Sequence, residues 1–249
     1  MIDPSKFYKL LIKQNIEFFT GVPDSLLKNF CTFVDENTES KNHIISANEG
    51  NAIGIASGYH LATNQIPLVY MQNSGLGNCI NPLTSLADKE VYSIPMILLI
   101  GWRGEPGVKD EPQHIKQGKI TEDQLKILGI HYLILDSSSD IEELVSTCVQ
   151  KIEENRSPVA ILVRKDSFSE YPGKQRLKNQ LNFTREEAIN TIVDLSRSED
   201  LFISTTGKCS RELFEARTNR KESQSDFLTV GSMGHTSSIA LGVALGAPE

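Results

Sequence analysis

Six short apolar runs punctuate the first two thirds of the chain: Ile16–Phe19, His43–Ser46, Leu68–Met71, Met96–Ile100, Tyr132–Leu135 and Val159–Val163. Each has strand length and is bounded by turn residues. Positions that are apolar consecutively, rather than alternately, suit a sheet covered on both faces. Helical spacing lies between the runs. Phe7, Leu10 and Leu11 recur three and four apart in Ser5–Gln14. Leu26, Leu27, Phe30, Phe33 and Val34 fall on one face of Asp24–Asp35, and Leu144, Val145, Cys148 and Val149 do the same in Ile141–Ile152. Strands alternating with helices predict βαβ units and an α/β fold with a mainly parallel sheet.

Six strands complete one domain by about residue 164. Arg164–Asn182 is rich in Lys, Arg, Ser, Pro and Gly and loses the periodicity. It reads as a linker, and its Lys174, Arg176 and Lys178 as a solvated basic segment. A new start follows. Thr184 with Glu187 three residues later makes a capping box. That predicts a helix over Arg185–Arg197, a strand at Leu201–Ser204, another helix, a strand at Phe227–Val230 and a small-residue helix at Thr236–Gly246. The expected division is 1–165, a linker 166–183, and 184–249. Two strands cannot cover their own helices well, so further sequence or another chain is expected to complete the second unit.

Composition narrows the function. Lys and Arg number 25 against 32 Asp and Glu, a net charge of −7. This argues against nucleic acid, which calls for a basic stripe. It does not exclude a small anion, because a few local cations override the net charge. The longest apolar run, around Pro95–Ile100, is far short of the roughly 20 residues of a membrane span. Met1–Lys13 lacks the apolar core of a secretory leader. Cys31, Cys79, Cys148 and Cys209 are widely separated, with no Cys-x-x-Cys pair. Neither a metal staple nor a disulfide framework is expected, and the thiols read as reduced and mostly buried in a cytoplasmic protein.

Four segments could carry chemistry. Glu49, in Ala47-Asn48-Glu49-Gly50-Asn51-Ala52, follows a strand and opens a helix rich in small residues. It serves the helix N-terminus electrostatically, or it is a carboxylate buried in an interface that the small residues allow. Gln72-Asn73-Ser74-Gly75-Leu76-Gly77-Asn78 is a strand–turn–helix junction without a P-loop or dinucleotide signature, either a generic ligand site or an ordinary glycine turn. Gly101-Trp102-Arg103-Gly104-Glu105-Pro106 and Asp110-Glu111-Pro112-Gln113-His114 form a long polar loop after a buried strand. Arg103 there could clamp an acidic group bidentately or be merely solvated. Gly231-Ser232-Met233-Gly234-His235 joins a short strand to a small-residue helix, and Met233 on its own could be core filling.

Together these segments resemble the thiamine diphosphate-dependent decarboxylases. The resemblance rests on Gly21-Val22-Pro23-Asp24-Ser25, Glu49–Ala52 and the Gly-Ser-Met-Gly run, and it extends from Phe7 to Pro248. The Gly-Trp-Arg-Gly and Asp-Glu-Pro-Gln-His runs resemble the branch acting on 3-phosphonopyruvate, with the sulfopyruvate branch nearest. A parallel-sheet pyrimidine-binding domain, followed by an incomplete α/β diphosphate-binding domain, is what the resemblance implies. The cofactor would lie between domains of two protomers, in a homo-oligomer that is at least a dimer. Glu49 would hydrogen-bond the pyrimidine nitrogen. Met233 would support the bent cofactor, the Gly231 carbonyl would accept from its amino group, and Thr206 and Gly207 would lie near it. Arg103 would bind the phosphonate, with Asp24, Ser25, Asn73 and His114 as candidates for carboxylate contact and proton shuttling. Mg²⁺ is expected of the full-length family, but its Gly-Asp-Gly signature is absent from this sequence. The chain therefore reads as C-terminally truncated. The alternatives are a sulfopyruvate decarboxylase, or a non-catalytic subunit that needs a partner chain.

Overall fold

The computed structural model describes residues 1–174, 183–197 and 199–246. The chain divides into two compact units, Met1–Lys174 and Gln175–Glu249. Residues 175–182 of the expected linker, with Arg176 and Lys178, and the final Ala247-Pro248-Glu249 lie outside the described residues.

The first unit is a six-stranded sheet, all of whose pairings are parallel. Its strands are β1 (Phe19–Gly21), β2 (His43–Ile45), β3 (Leu68–Gln72), β4 (Ile97–Gly101), β5 (His131–Leu135) and β6 (Val159–Val163), in the order β2-β1-β3-β4-β6-β5. Side chains alternate between two apolar layers. Leu68, Tyr70, Ile97, Leu99, Val159 and Ile161 pack on one side with α1 (Pro4–Lys13), α2 (Lys28–Asn37) and α6 (Ile141–Asn155). Val69, Met71, Leu98, Ile100, Ala160 and Leu162 pack on the other with α3 (Glu49–Thr63), α4 (Leu76–Ser85) and α5 (Pro112–Ile127). Burial on both faces is why these runs are apolar at every position.

Short polar side chains start the helices. Asp3 accepts from the Ser5 backbone N–H at 2.8 Å, Asn48 from Gly50 at 2.8 Å, and Asp140 from Glu142 and Glu143 at 3.0 and 3.2 Å. Each satisfies an N–H that the first helical turn leaves unpaired.

Three expectations shift. The first strand occupies Phe19–Gly21 rather than Ile16–Phe19, because β1 pairs from Phe19 with Leu68 of β3. Ile16 is wholly buried beside it. The second helix begins at Lys28, not Asp24, since Asp24 accepts from the Leu26 backbone N–H and so forms a turn. His114 lies in the first turns of α5 rather than in a long loop. Pro112 presets that helix start, and the side α5 buries (Gly118, Thr121, Leu125) carries too little apolar pattern to announce a helix. Arg164–Lys174 packs with the first unit: Phe168 is buried and bridges to Ile2, and the Tyr171 hydroxyl donates to Glu36 at 3.0 Å.

The second unit contains α7 (Arg185–Leu195), β7 (Ile203–Ser204), α8 (Lys208–Asn219), β8 (Phe227–Leu228) and α9 (Thr236–Gly246), with β7 and β8 parallel. The Thr184–Glu187 capping box is present as the spacing predicts. Arg217 ties the unit together, donating to Asp226 at 2.9 Å and Glu222 at 2.6 Å. No helix among the described residues is long and apolar enough to cross a membrane. All four cysteines are free thiols, and burial pushes Cys31, Cys79 and Cys148 up to about 12. A thiol held protonated in this way is not a nucleophile at neutral pH.

Candidate active site

Strands β1 to β4 end in one row, and the loops leaving their carboxyl ends bring six of the expected side chains to one edge of the sheet. Ligands of open α/β sheets bind at that edge, where strand order reverses. Here β2 and β3 flank β1 on opposite sides.

Glu49 opens α3 and is 8% exposed. Its Oε2 accepts from the Asn78 side-chain amide of α4 at 2.7 Å. Among the described residues its Oε1 has no hydrogen-bond partner, and no cation pairs with it. Gly75 makes the corner possible: a Cβ there would stand 2.5 Å from Glu49 Cγ. Gly50 admits the backbone of Asn78 closely, at 2.7 Å from a would-be Cβ. Gly54 and Gly58 have nothing within 4 Å of theirs, so no other described residue of the first unit covers this part of the small face of α3.

Asp24, in the turn after β1, is buried, and both of its oxygens accept. Oδ1 takes the Gln72 amide at 2.7 Å and Oδ2 the Leu26 backbone N–H at 2.7 Å. Asn73 has no exposed surface. Its amide donates to the Arg103 carbonyl at 2.8 Å and to Thr121 Oγ1 at 2.9 Å, while its Oδ1 accepts from Arg103 N at 3.2 Å. With those bonds made, Asn73 joins the β3 and β4 loops to α5.

Arg103 is not merely solvated. Its Nε and one terminal nitrogen clamp Asp110 at 2.8 and 2.5 Å, and its other terminal nitrogen donates to Ser25 Oγ at 2.8 Å. Asp110 also accepts from Gly104 N at 2.8 Å, Glu111 N at 2.7 Å and His114 Nδ1 at 2.9 Å. The Arg103 guanidinium, helped by His114 and the two backbone N–H groups, holds the Asp110 carboxyl well below the usual carboxylate range. The same contact raises Arg103. Gly104 has φ +69°, and the His114 carbonyl lies where its Cβ would stand. Trp102, buried, donates its indole N–H to the Gly118 carbonyl at 3.0 Å and anchors α5 below the loop. A cavity of about 280 Å³ opens here, lined among others by Ser25, Arg103, Lys109 and Lys165. Neither lysine has an ion-pair partner among the described residues, and Glu105, also in the lining, pairs with Arg164 at 2.8 Å, so the cavity presents net positive charge.

The second unit gathers the other four. Thr206 Oγ1 donates to the Val230 carbonyl at 2.8 Å, joining the ends of β7 and β8. Gly207 has φ +90° and precedes α8. Gly231 follows β8, and Met233 is 52% exposed. Among the described residues, no group of three or more His, Cys, Asp or Glu could hold a metal ion.

Sequence reasoning passed over Gln72, Asn78 and Asp110. Asp110 could have been found from Asp-x-x-x-His spacing with Pro112 between, since a helix started by that proline turns its first residues back onto the preceding one.

Residues 5–127 match the family described as Thiamine pyrophosphate enzyme, N-terminal TPP binding domain. The chain is 30% identical over 245 residues to the phosphonopyruvate decarboxylase of Streptomyces viridochromogenes, covering 92% of this chain and 60% of that one. It is 29% identical to the phosphonopyruvate decarboxylase of Streptomyces hygroscopicus, covering 64% of that protein. The chain thus spans under two thirds of the length of these relatives. It is 31% identical to sulfopyruvate decarboxylase subunit alpha of Methanococcus maripaludis, over 63% of this chain and 90% of that one. Among solved structures, one described as a thiamin diphosphate-dependent enzyme from Mycobacterium smegmatis superposes with a TM-score of 0.50 at 17% identity. That match covers 78% of this chain and 37% of the other, a likeness of fold.

Proposed function

This chain belongs to the family of thiamine diphosphate-dependent decarboxylases, and from that premise we propose that it acts in the decarboxylation of 3-phosphonopyruvate to phosphonoacetaldehyde and carbon dioxide, a step of organic phosphonate biosynthesis. The observation that carries the reading is Glu49: a buried carboxylate with one oxygen held by Asn78 and the other left without a protein partner. Such a group suits a ring nitrogen that must gain and lose a proton, and Gly75 leaves room for the Glu49 side chain to take this position. The aminopyrimidine end of the cofactor therefore fits the residues present. The described residues offer no magnesium cage, and no step here depends on one.

When bound, thiamine diphosphate supplies the nucleophilic carbon and the electron sink that decarboxylation of a 2-keto acid requires. Glu49 holds the proton at the pyrimidine nitrogen. In this reading Arg103, Lys109 and Lys165 draw the phosphonate into the cavity beside Ser25. Asp24 and His114 handle protons near the keto acid, and Asn73 keeps the loops in register. Of the five N–H donors of Arg103, three are committed to Asp110 and Ser25, leaving two for substrate. Gly231, Met233, Thr206 and Gly207 contact the cofactor from the second unit, in a complex of at least two chains. A relative named as an alpha subunit supports assembly with further chains.

The test is carbon dioxide release from phosphonopyruvate, sulfopyruvate and pyruvate by the protein with thiamine diphosphate and magnesium. Release from phosphonopyruvate above the others, abolished in Glu49→Gln, is the expected result. Preference for sulfopyruvate moves the assignment to the sulfonate. Release from none makes the chain a subunit that needs its partner.

A further inference from the structure

Asp110 is the most heavily bonded carboxylate at the site edge, yet it has no assigned part in the chemistry. It receives five hydrogen bonds: two from the Arg103 fork, two from the Gly104 and Glu111 backbones, and one from His114 Nδ1 at 2.9 Å. Side chains of Arg103, Asp110 and His114 are only 18%, 13% and 13% exposed. An ionised carboxylate only accepts hydrogen bonds. The ring of His114 must therefore carry its proton on Nδ1, and its neutral form has Nε2 as the sole acceptor. The arrangement is built in. Asp110 lies just before the Glu111 N-cap of α5, and the helix start turns the His114 ring back onto it. Gly104 and Gly118 lack the Cβ atoms that would push the β4 loop off this helix.

We propose that Asp110 is the positioning residue of this site: one carboxylate fixes the Nδ1–H tautomer of His114 and holds the Arg103 fork, so that a basic imidazole nitrogen and a half-satisfied guanidinium are presented together. The fork side explains why Arg103 binds an anion without a full unit of uncancelled charge. The use made of His114 and Arg103 rests on the decarboxylase reading above. The tautomer does not.

The tautomer is read directly by nitrogen NMR of the full chain labelled with ¹⁵N-histidine, taken at the neutral plateau of each ring. The His114 signals are identified by their loss in His114→Gln; there are five histidines in all. In the wild-type protein, His114 Nδ1 is expected to be protonated and Nε2 unprotonated. In Asp110→Asn the balance moves toward the Nε2–H form. A wild-type His114 protonated on Nε2, or an unchanged spectrum in Asp110→Asn, overturns the proposal. If Asp110→Asn does not fold, the wild-type spectrum alone decides.

A kinetic arm asks whether Asp110 acts through His114. Asp110→Asn and His114→Gln are each expected to lower turnover on the order of 10²-fold, the usual share of a positioned acid–base group. The double variant should lose no more than about twofold beyond the worse single one, since groups acting as a unit are not additive. Losses that multiply refute action through His114. Absence of wild-type turnover makes the chain a subunit that needs its partner, and the spectrum still tests Asp110.

Discussion

Glu49 and Asp110 are carboxylates at the same edge of one sheet, and their surroundings treat them in opposite ways. Among the described residues Glu49 receives one hydrogen bond, from a neutral amide, and no cation. Asp110 receives five, two of them from a guanidinium. The first keeps a lone pair available for a ligand. The second has its charge balanced and its lone pairs filled, so it holds neighbours in place. On the proposed reading, bonding around a carboxylate, more than its burial, separates a group that exchanges protons from one that organises.

The largest expected effect tests the first half of that contrast. Glu49→Gln keeps size and shape and removes the exchangeable proton. Turnover is expected to fall on the order of 10³-fold, while the thermal midpoint moves by no more than about 2 °C. Turnover near wild type would end the comparison. Next in size, Gly118→Ala strikes the other corner, because its new Cβ meets the Gly104 carbonyl. A backbone clash of this kind costs about 3 kcal/mol, read from urea unfolding.

Asp110→Ala leaves Arg103 without its counter-charge and is expected to lower stability by about 2 kcal/mol at neutral pH. The sign with pH follows from the depressed carboxyl. Its contribution is complete above the unfolded carboxylate pKa of about 4 and is lost as pH falls below it. Wild-type and variant stabilities should draw together below about pH 4. Curves that stay parallel into acid would mean that Asp110 contributes by packing rather than by charge.

Arg103→Ala should raise the Michaelis constant for phosphonopyruvate about tenfold, one hydrogen-bonded charge contact's worth. A keto acid without the phosphonate should be less affected, and equal effects on both would remove Arg103 from acid-group recognition. Asn78→Ala has an effect of similar size. It takes away the one donor to Glu49 among the described residues and should lower turnover about tenfold, the lower end for a hydrogen bond to a charged group. A loss as large as that of Glu49→Gln would show that Asn78 places the carboxylate outright.

Much of the framework was legible before any coordinates. The six apolar runs, the helices between them and the Thr184–Glu187 capping box all follow from local rules. Those rules fail where the local signal is weak. Helix α5 was missed because the side it buries is glycine and threonine as much as leucine. Its loss hid the Asp110–His114 pairing, since His114 read as a loop residue. Asn73 looked like a contact for substrate by its place after a strand, and its side chain turns out to bond to Arg103 and Thr121. Residue type and neighbourhood suggested chemistry there, but bonding partners 30 and 48 positions away were beyond any spacing argument.

The sequence by itself determined an α/β chain with a parallel sheet buried on both faces, a glutamate at the head of a small-residue helix, and an arginine and a histidine in the segment after a buried strand. Only the tertiary structure decided that Asn78 reaches Glu49 and that Arg103 reaches Ser25, 29 and 78 positions away. The first set depends on periodicity, which each segment carries within itself. The second depends on strand order and on glycines that let loops close to within contact, and those arise only when distant segments pack.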